Sequence, residues 1–182
     1  MIDDVLTLAG RWFRNFQKDN GLFHYQYDVR TGEYSTHDNI VRQIGCALAP
    51  QALGMDDVVD RLCGAIESIV ERQTYDGRSI RIIPFDGLYK INAIALYTIL
   101  LLNDGKNDDV DEFVIGMELM EVDDSFLYLY YVPKQYNKIS GYATGEVLYA
   151  LAKHMRATGD DRNSETMQRV FNRMYETCID QD

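Results

Sequence analysis

The sequence predicts a mainly α protein of three repeated helix hairpins, with the two helices of each joined by a β-rich loop. Three observations predict it. Apolar residues recur at the spacing of one helical face, aromatic segments rich in turn residues break the helices, and one short pattern returns at a period of about fifty residues. With 182 residues, 46% of them hydrophobic and 26% charged, the chain can bury a core as one ordinary domain.

Val5, Leu6, Leu8, Ala9, Trp12, Phe13 and Phe16 fall on one side of a first helix, predicted over residues 3–18 and stopped by Asp19-Asn20-Gly21. Residues 22–28 are aromatic and partly alternating, and with 29–34, whose Thr31-Gly32 suits a turn, they read as a β-hairpin. Thr36, His37 or Asp38 is placed to cap the next helix, in which Ile40, Val41, Ile44, Ala47 and Leu48 leave little polar face. Pro50 interrupts that pattern late and Gly54 ends it. Asp56 and Asp57 sit where the positive end of a third helix favours acids, ahead of Val58, Val59, Leu62, Ala65, Ile66, Ile69 and Val70.

The same order then returns. Tyr75-Asp76-Gly77 is expected to end the third helix, 79–83 to form a strand, and Asp86-Gly87 to precede a nearly apolar helix over 88–102. Residues 103–106 break it, an amphipathic helix follows over 108–120, and 126–132 is a β-prone run closed by Pro133. A third apolar helix over 142–154 leads through Thr158-Gly159-Asp160 to a last amphipathic helix carrying Met167, Val170, Phe171, Met174, Tyr175 and Cys178. The expectation is one domain over 1–182, with repeats near 2–53, 55–103 and 107–156 and a final helix over 161–180.

The repeat has a register. Gln43-Ile-Gly-Cys-Ala-Leu48, Asn92-Ala-Ile-Ala-Leu-Tyr97 and Glu146-Val-Leu-Tyr-Ala-Leu151 each place one polar residue before five small or apolar ones, starting 49 and then 54 positions apart. Each polar residue lies in the first turns of an apolar helix just after a β-rich loop. Gln43, Asn92 and Glu146 are therefore expected to gather on the loop face, where helix N-termini offer free N–H groups and partial positive charge.

The segments Gly141-Tyr-Ala-Thr-Gly-Glu-Val-Leu-Tyr-Ala-Leu151 and Asp38-Asn-Ile-Val-Arg-Gln43 resemble inner-helix openings of the α/α-toroid superfamily. That superfamily includes unsaturated glucuronyl hydrolases, N-acylglucosamine 2-epimerases and the helical domain of glucuronyl C5-epimerases. The resemblance implies an incomplete (α/α) toroid and a carbohydrate-active or carbohydrate-binding protein, with sugar hydrolysis or epimerisation at the loop face. Complete toroids of this kind close with about six hairpins and this chain supplies three, half a ring, so its apolar flanks call for a homodimer or a partner protein to cover the open arc. A fragment of a longer toroid, or a small curved domain closed on itself, satisfies the same pattern.

Glu146 is the first candidate for acid or base work, because a carboxylate near an apolar helix start and beside Tyr142 can have its protonation tuned by burial. Asp38 holds the matching junction of the first repeat, and two carboxylates flanking a sugar suit glycosidic chemistry. The plainer alternative makes Asp38 an N-cap and Glu146 a first-turn residue favoured by the helix dipole. Arg42 and Gln43 lie in an apolar stretch, where the guanidinium can grip a ligand carboxylate or pair with Asp38 four residues earlier. Asn92, Tyr89, Tyr142 and His37 complete the expected ligand-binding set, with a sugar or uronic acid as the ligand. Tyrosines 25, 27, 34, 75, 128, 130, 131 and 136 also lie in or beside the loops, where ring faces suit either sugar stacking or strand packing. A non-catalytic helical-repeat module for protein interaction or dimerisation is the alternative function.

The formal charge of −11 and pI near 4.6 disfavour nucleic acid. The longest apolar run, 91–102, falls short of the roughly 20 residues a bilayer span needs, so no membrane partner is expected. Acids at Asp3 and Asp4 do not resemble a secretory signal, and a cytoplasmic location is expected. Cys46, Cys63 and Cys178 are read as buried free thiols; His24, His37 and His154 are dispersed, so no metal site is expected. Phosphate-loop, nucleophile-elbow and dinucleotide glycine motifs are missing, and no cofactor is expected.

Overall fold

A computed structural model describes residues 2–127, 129–130 and 139–178. Seven α-helices and several small antiparallel sheets are seen among them, and the chain divides into two compact units, Met1–Val70 and Glu71–Asp182. The division falls between a helix and a strand inside the second expected repeat. No helix of the described residues is long and apolar enough to cross a membrane.

The first unit holds α1 (Ile2–Phe16), the two-residue strands β1 (Tyr27–Asp28) and β2 (Glu33–Tyr34), α2 (Ile40–Ala52) and α3 (Asp56–Glu67). The hairpin expected at Thr31-Gly32 forms, with Tyr27 opposite Tyr34. Asn39, rather than Thr36, His37 or Asp38, caps α2: its Oδ1 accepts from the Val41 and Arg42 amides. Pro50 does not stop the helix, which runs on to Ala52. Ile40, Ile44 and Ala47 of α2 and Val58, Leu62 and Ile66 of α3 are buried as the two helices pack together. Gly21 has φ +87, and a Cβ there would run into the Arg61 carbonyl oxygen, so the chain can turn tightly under α3 only with glycine.

The second unit opens with β3 (Glu71–Tyr75) and β4 (Arg78–Ile82), continues through β5 (Pro84–Phe85) and β6 (Leu88–Lys90) into α4 (Ile91–Asn103), and passes a 3-10 turn (Asn107–Asp109) to α5 (Asp111–Glu118). Strands β7 (Glu121–Val122), β8 (Ser125–Phe126) and β9 (Leu129–Tyr130) precede α6 (Gly141–Thr158) and α7 (Ser164–Cys178). The expected run over 126–132 is thus two short strands, and Tyr128, Tyr131, Pro133 and Tyr136 lie outside the described residues.

Two turns differ from expectation. Tyr75-Asp76-Gly77 does not end α3, which stops at Glu67; it turns the β3–β4 hairpin, and Asp86-Gly87 turns β5–β6 before α4 begins at Ile91. Asp76, Gly77, Asp86 and Gly87 all have positive φ, as the two central residues of a type I′ turn require. Every residue of α4 from Ile91 to Leu102 is buried, and the helix packs against α5 and α6. Along the chain, β-rich connections alternate with short turns.

Candidate functional site

Within the second unit, Asn92 and Glu146 meet. Asn92 is the second residue of α4, and Glu146 is the sixth of α6, within its first two turns. Glu146 accepts hydrogen bonds from the side chains of Tyr142, one turn earlier on α6, and Asn92. Burial pushes the Glu146 carboxyl above the usual carboxylate range, against the opposing effect of those two bonds.

The oxygens of this cluster are incompletely paired. Asn92 is only 3% exposed, yet its Oδ1 has no hydrogen-bond partner, and neither has the enclosed Oε2 of Glu146. Two enclosed acceptors without donors cost about 1–3 kcal/mol each unless something supplies the hydrogen. Ser125 and Thr144, the latter buried on α6, hold their hydroxyls 3.3 Å apart in a separate contact between β8 and α6. Lys90 precedes α4 without giving it a side-chain cap. Tyr142 is exposed, and Tyr89 lies half-buried in β6 opposite Pro84 and Tyr130.

The residues expected from the first repeat are held differently. Gln43, 2% exposed, is fully engaged: Oε1 accepts from the Phe23 amide at 2.7 Å, and Nε2 donates to the Phe23 carbonyl at 2.8 Å and to Asp38 Oδ1 at 2.6 Å. Asp38 also accepts from the Asn39 amide through Oδ1 and pairs with Lys18 Nζ at 3.0 Å through Oδ2. This carboxylate anchors the loop ahead of α2 to the end of α1. Arg42 is exposed with its guanidinium 5.3 Å over the Tyr25 ring, and His37 is exposed in the loop before α2. Gln43 and Asp38 belong to the first unit, whereas Asn92 and Glu146 belong to the second.

One cluster escaped the sequence reading. His154 of α6 is buried, and an imidazole nitrogen and carboxylate oxygens of Asp111 and Asp160 lie within 4.8 Å of one another. These are metal-binding residue types, but a cation is already supplied by the chain. Arg162 bonds Asp111, Glu118 at 2.8 Å and Asp160 at 3.3 Å, while Arg78 reaches the other oxygen of Glu118 at 2.9 Å. Burial and Arg162 both hold the His154 imidazolium below its usual range, with weaker opposition from the acids. The spacing 111, 154, 160 crosses three elements, and no local motif marks it. Of the cysteines, Cys63 is buried as expected and Cys46 is exposed, because it lies on the side of α2 away from Ile44 and Ala47. Beyond these clusters, a groove of 430 Å³ runs beside Leu102, Tyr149, Lys153 and Arg156 near the C-terminal ends of α4 and α6.

No family model, no curated protein and no solved structure matches the chain.

Proposed function

We propose that the Asn92–Glu146–Tyr142 cluster binds a hydroxyl-rich ligand of the sugar class, with Glu146 able to hold or release a proton against it. The observation that carries this reading is the pair of enclosed, partnerless oxygens, Asn92 Oδ1 and Glu146 Oε2. Sugar hydroxyls are donors, and a site built of acceptors with a flanking tyrosine ring matches them. The alternation of β-rich and short connections is also what an arc of an α/α toroid requires, and it supports the same ligand class by analogy of fold. In this reading Asp38, bound to Lys18 and Gln43, is a structural anchor rather than a second acid.

The test is thermal shift and calorimetry with a panel of neutral sugars, uronic acids and amino sugars. One class is expected to raise the Tm of the wild type through preferential binding to the folded chain. Glu146→Gln and Asn92→Leu should each weaken that binding by about tenfold or more, the loss of one hydrogen bond to a buried polar group. Equal shifts in wild type and both variants would refute the site.

A pH dependence follows without any ligand. Because the folded-state pKa of Glu146 is raised, its neutral form is favoured by the fold. Its contribution to stability is complete below the ordinary carboxylate value of 4.5 and is lost as pH rises through the raised value. Glu146→Gln should remove that loss, so the Tm of the variant relative to wild type should climb as pH increases from the acid side; a constant difference across the range would contradict the tuned carboxyl.

A second reading has its own observation. Leu148, Met155, Met167 and Phe171 line a groove of 350 Å³ between α6 and α7, with Phe171 and Tyr175 exposed. Such an apolar surface suits a protein-interaction module, and it becomes the better account if no sugar binds.

A further inference from the structure

The imidazole of His154 is enclosed without a hydrogen bond. The residue is 3% exposed, and among the described residues its ring is acted on only by burial and by the charges of Arg162, Asp160, Asp111 and Glu118. A buried ring nitrogen with no partner has lost its solvation for nothing in return. One of these nitrogens lies within 4.8 Å of a carboxylate oxygen of Asp111 and of one of Asp160, and those two oxygens are equally close to each other.

Arg162 spans the carboxylates, bonding Asp111 and reaching Asp160 Oδ2 at 3.3 Å, and so satisfies the acids but not the imidazole. A cation that takes nitrogen and oxygen ligands together would satisfy all three groups. Zinc and its transition-metal neighbours do so, whereas calcium and magnesium favour oxygen alone. Bonds of about 2.0–2.2 Å to one ion put such atoms roughly 3–4 Å apart. Rotation of the exposed Asp111 carboxylate covers the difference. The Arg162 side chain is 37% exposed and has solvent to move into. Its departure strands no acid: Glu118 keeps Arg78 at 2.9 Å, and Asp160 Oδ1 keeps the Arg162 backbone amide at 3.1 Å.

We infer that Asp111, His154 and Asp160 form a site for a divalent transition-metal ion of the zinc class, with Arg162 as the internal cation that the metal displaces. Three protein ligands leave a further position for water or a ligand oxygen. His154 lies eight residues along α6 from Glu146, about 12 Å of helix rise, so the site does not rest on the sugar reading.

Zinc binding is measured by calorimetry and thermal shift, and cobalt binding by visible absorption. The wild type should take one ion per chain and gain Tm. His154→Gln and Asp111→Asn should each weaken binding by about 100-fold or more, beyond the cost of losing a group that only supports a ligand. Asp111→Asn, at an exposed position, carries the test if His154→Gln perturbs α6, with circular dichroism as the check on folding. Arg162→Gln removes the competing cation and should tighten binding by about tenfold, the worth of one hydrogen bond to a charged group. Absence of binding to the wild type overturns the inference. So does binding that survives Asp111→Asn, or an Arg162→Gln affinity no tighter than that of the wild type.

Discussion

Phe113→Ala is expected to cost about 4 kcal/mol of stability, in the range for truncating a fully buried aromatic ring. The ring has no exposed surface and joins three elements. It packs edge-on to Tyr97 of α4 at 5.6 Å and 88°, it belongs to α5, and the Arg81 guanidinium of β4 lies 4.5 Å from its centre. Its loss leaves a cavity against α4, a helix buried nearly throughout, whose neighbours cannot collapse inward without losing contacts of their own. Urea denaturation followed by circular dichroism measures the change. Phe171→Ala, on the exposed side of α7, should stay within about 0.5 kcal/mol of wild type, and equal losses at the two sites would show that Phe113 is not a core residue.

Gln43→Leu should be of similar size, about 4 kcal/mol, for a polar reason. Leucine would strand the amide and carbonyl of Phe23, both buried, and deprive Asp38 of its bond at 2.6 Å. Each stranded group contributes about 1–3 kcal/mol of lost solvation. Asn92→Leu, at the matching position of the next repeat, should behave differently and stay within about 1 kcal/mol of wild type. Removing its unpartnered Oδ1 relieves a desolvation penalty while Glu146 loses one hydrogen bond, and the two effects oppose each other. The contrast is measurable by the same denaturation experiment. A loss at Asn92 as large as that at Gln43 would mark Asn92 as structural and remove the main support for a ligand site there.

The difference between Gln43 and Asn92 shows how far residue type and register can be read. Both open an apolar helix after a β-rich loop, and both are buried, as their place in the pattern required. What separates them is the backbone that passes by: Phe23 presents an amide and a carbonyl to Gln43, whereas Asn92 meets a carboxyl group from α6. Neither neighbour is within reach of a sequence pattern. The Asp-Gly turns are a different matter, because Asp76-Gly77 and Asp86-Gly87 are strong local signals for a two-residue hairpin. The apolar residues on either side belong to the hairpin strands rather than to the neighbouring helices. The capping error at Asp38 is of one residue, and it arose because four polar residues, Thr36 to Asn39, precede α2 and only the backbone path decides which oxygen faces the first amides.

From the amino acids alone came the helical class, the order of helices and β-rich connections, the burial of α4 and the amphipathic character of α1. Those properties follow from local periodicity and composition, which act within a few turns of chain. Tertiary structure decided the rest: that Glu146 sits with Asn92, that Asp38 is spent on Lys18 and Gln43, and that Arg162 gathers Asp111, Glu118 and Asp160. Each of these depends on which distant segment approaches a side chain, and a desolvated polar group is defined only by that approach.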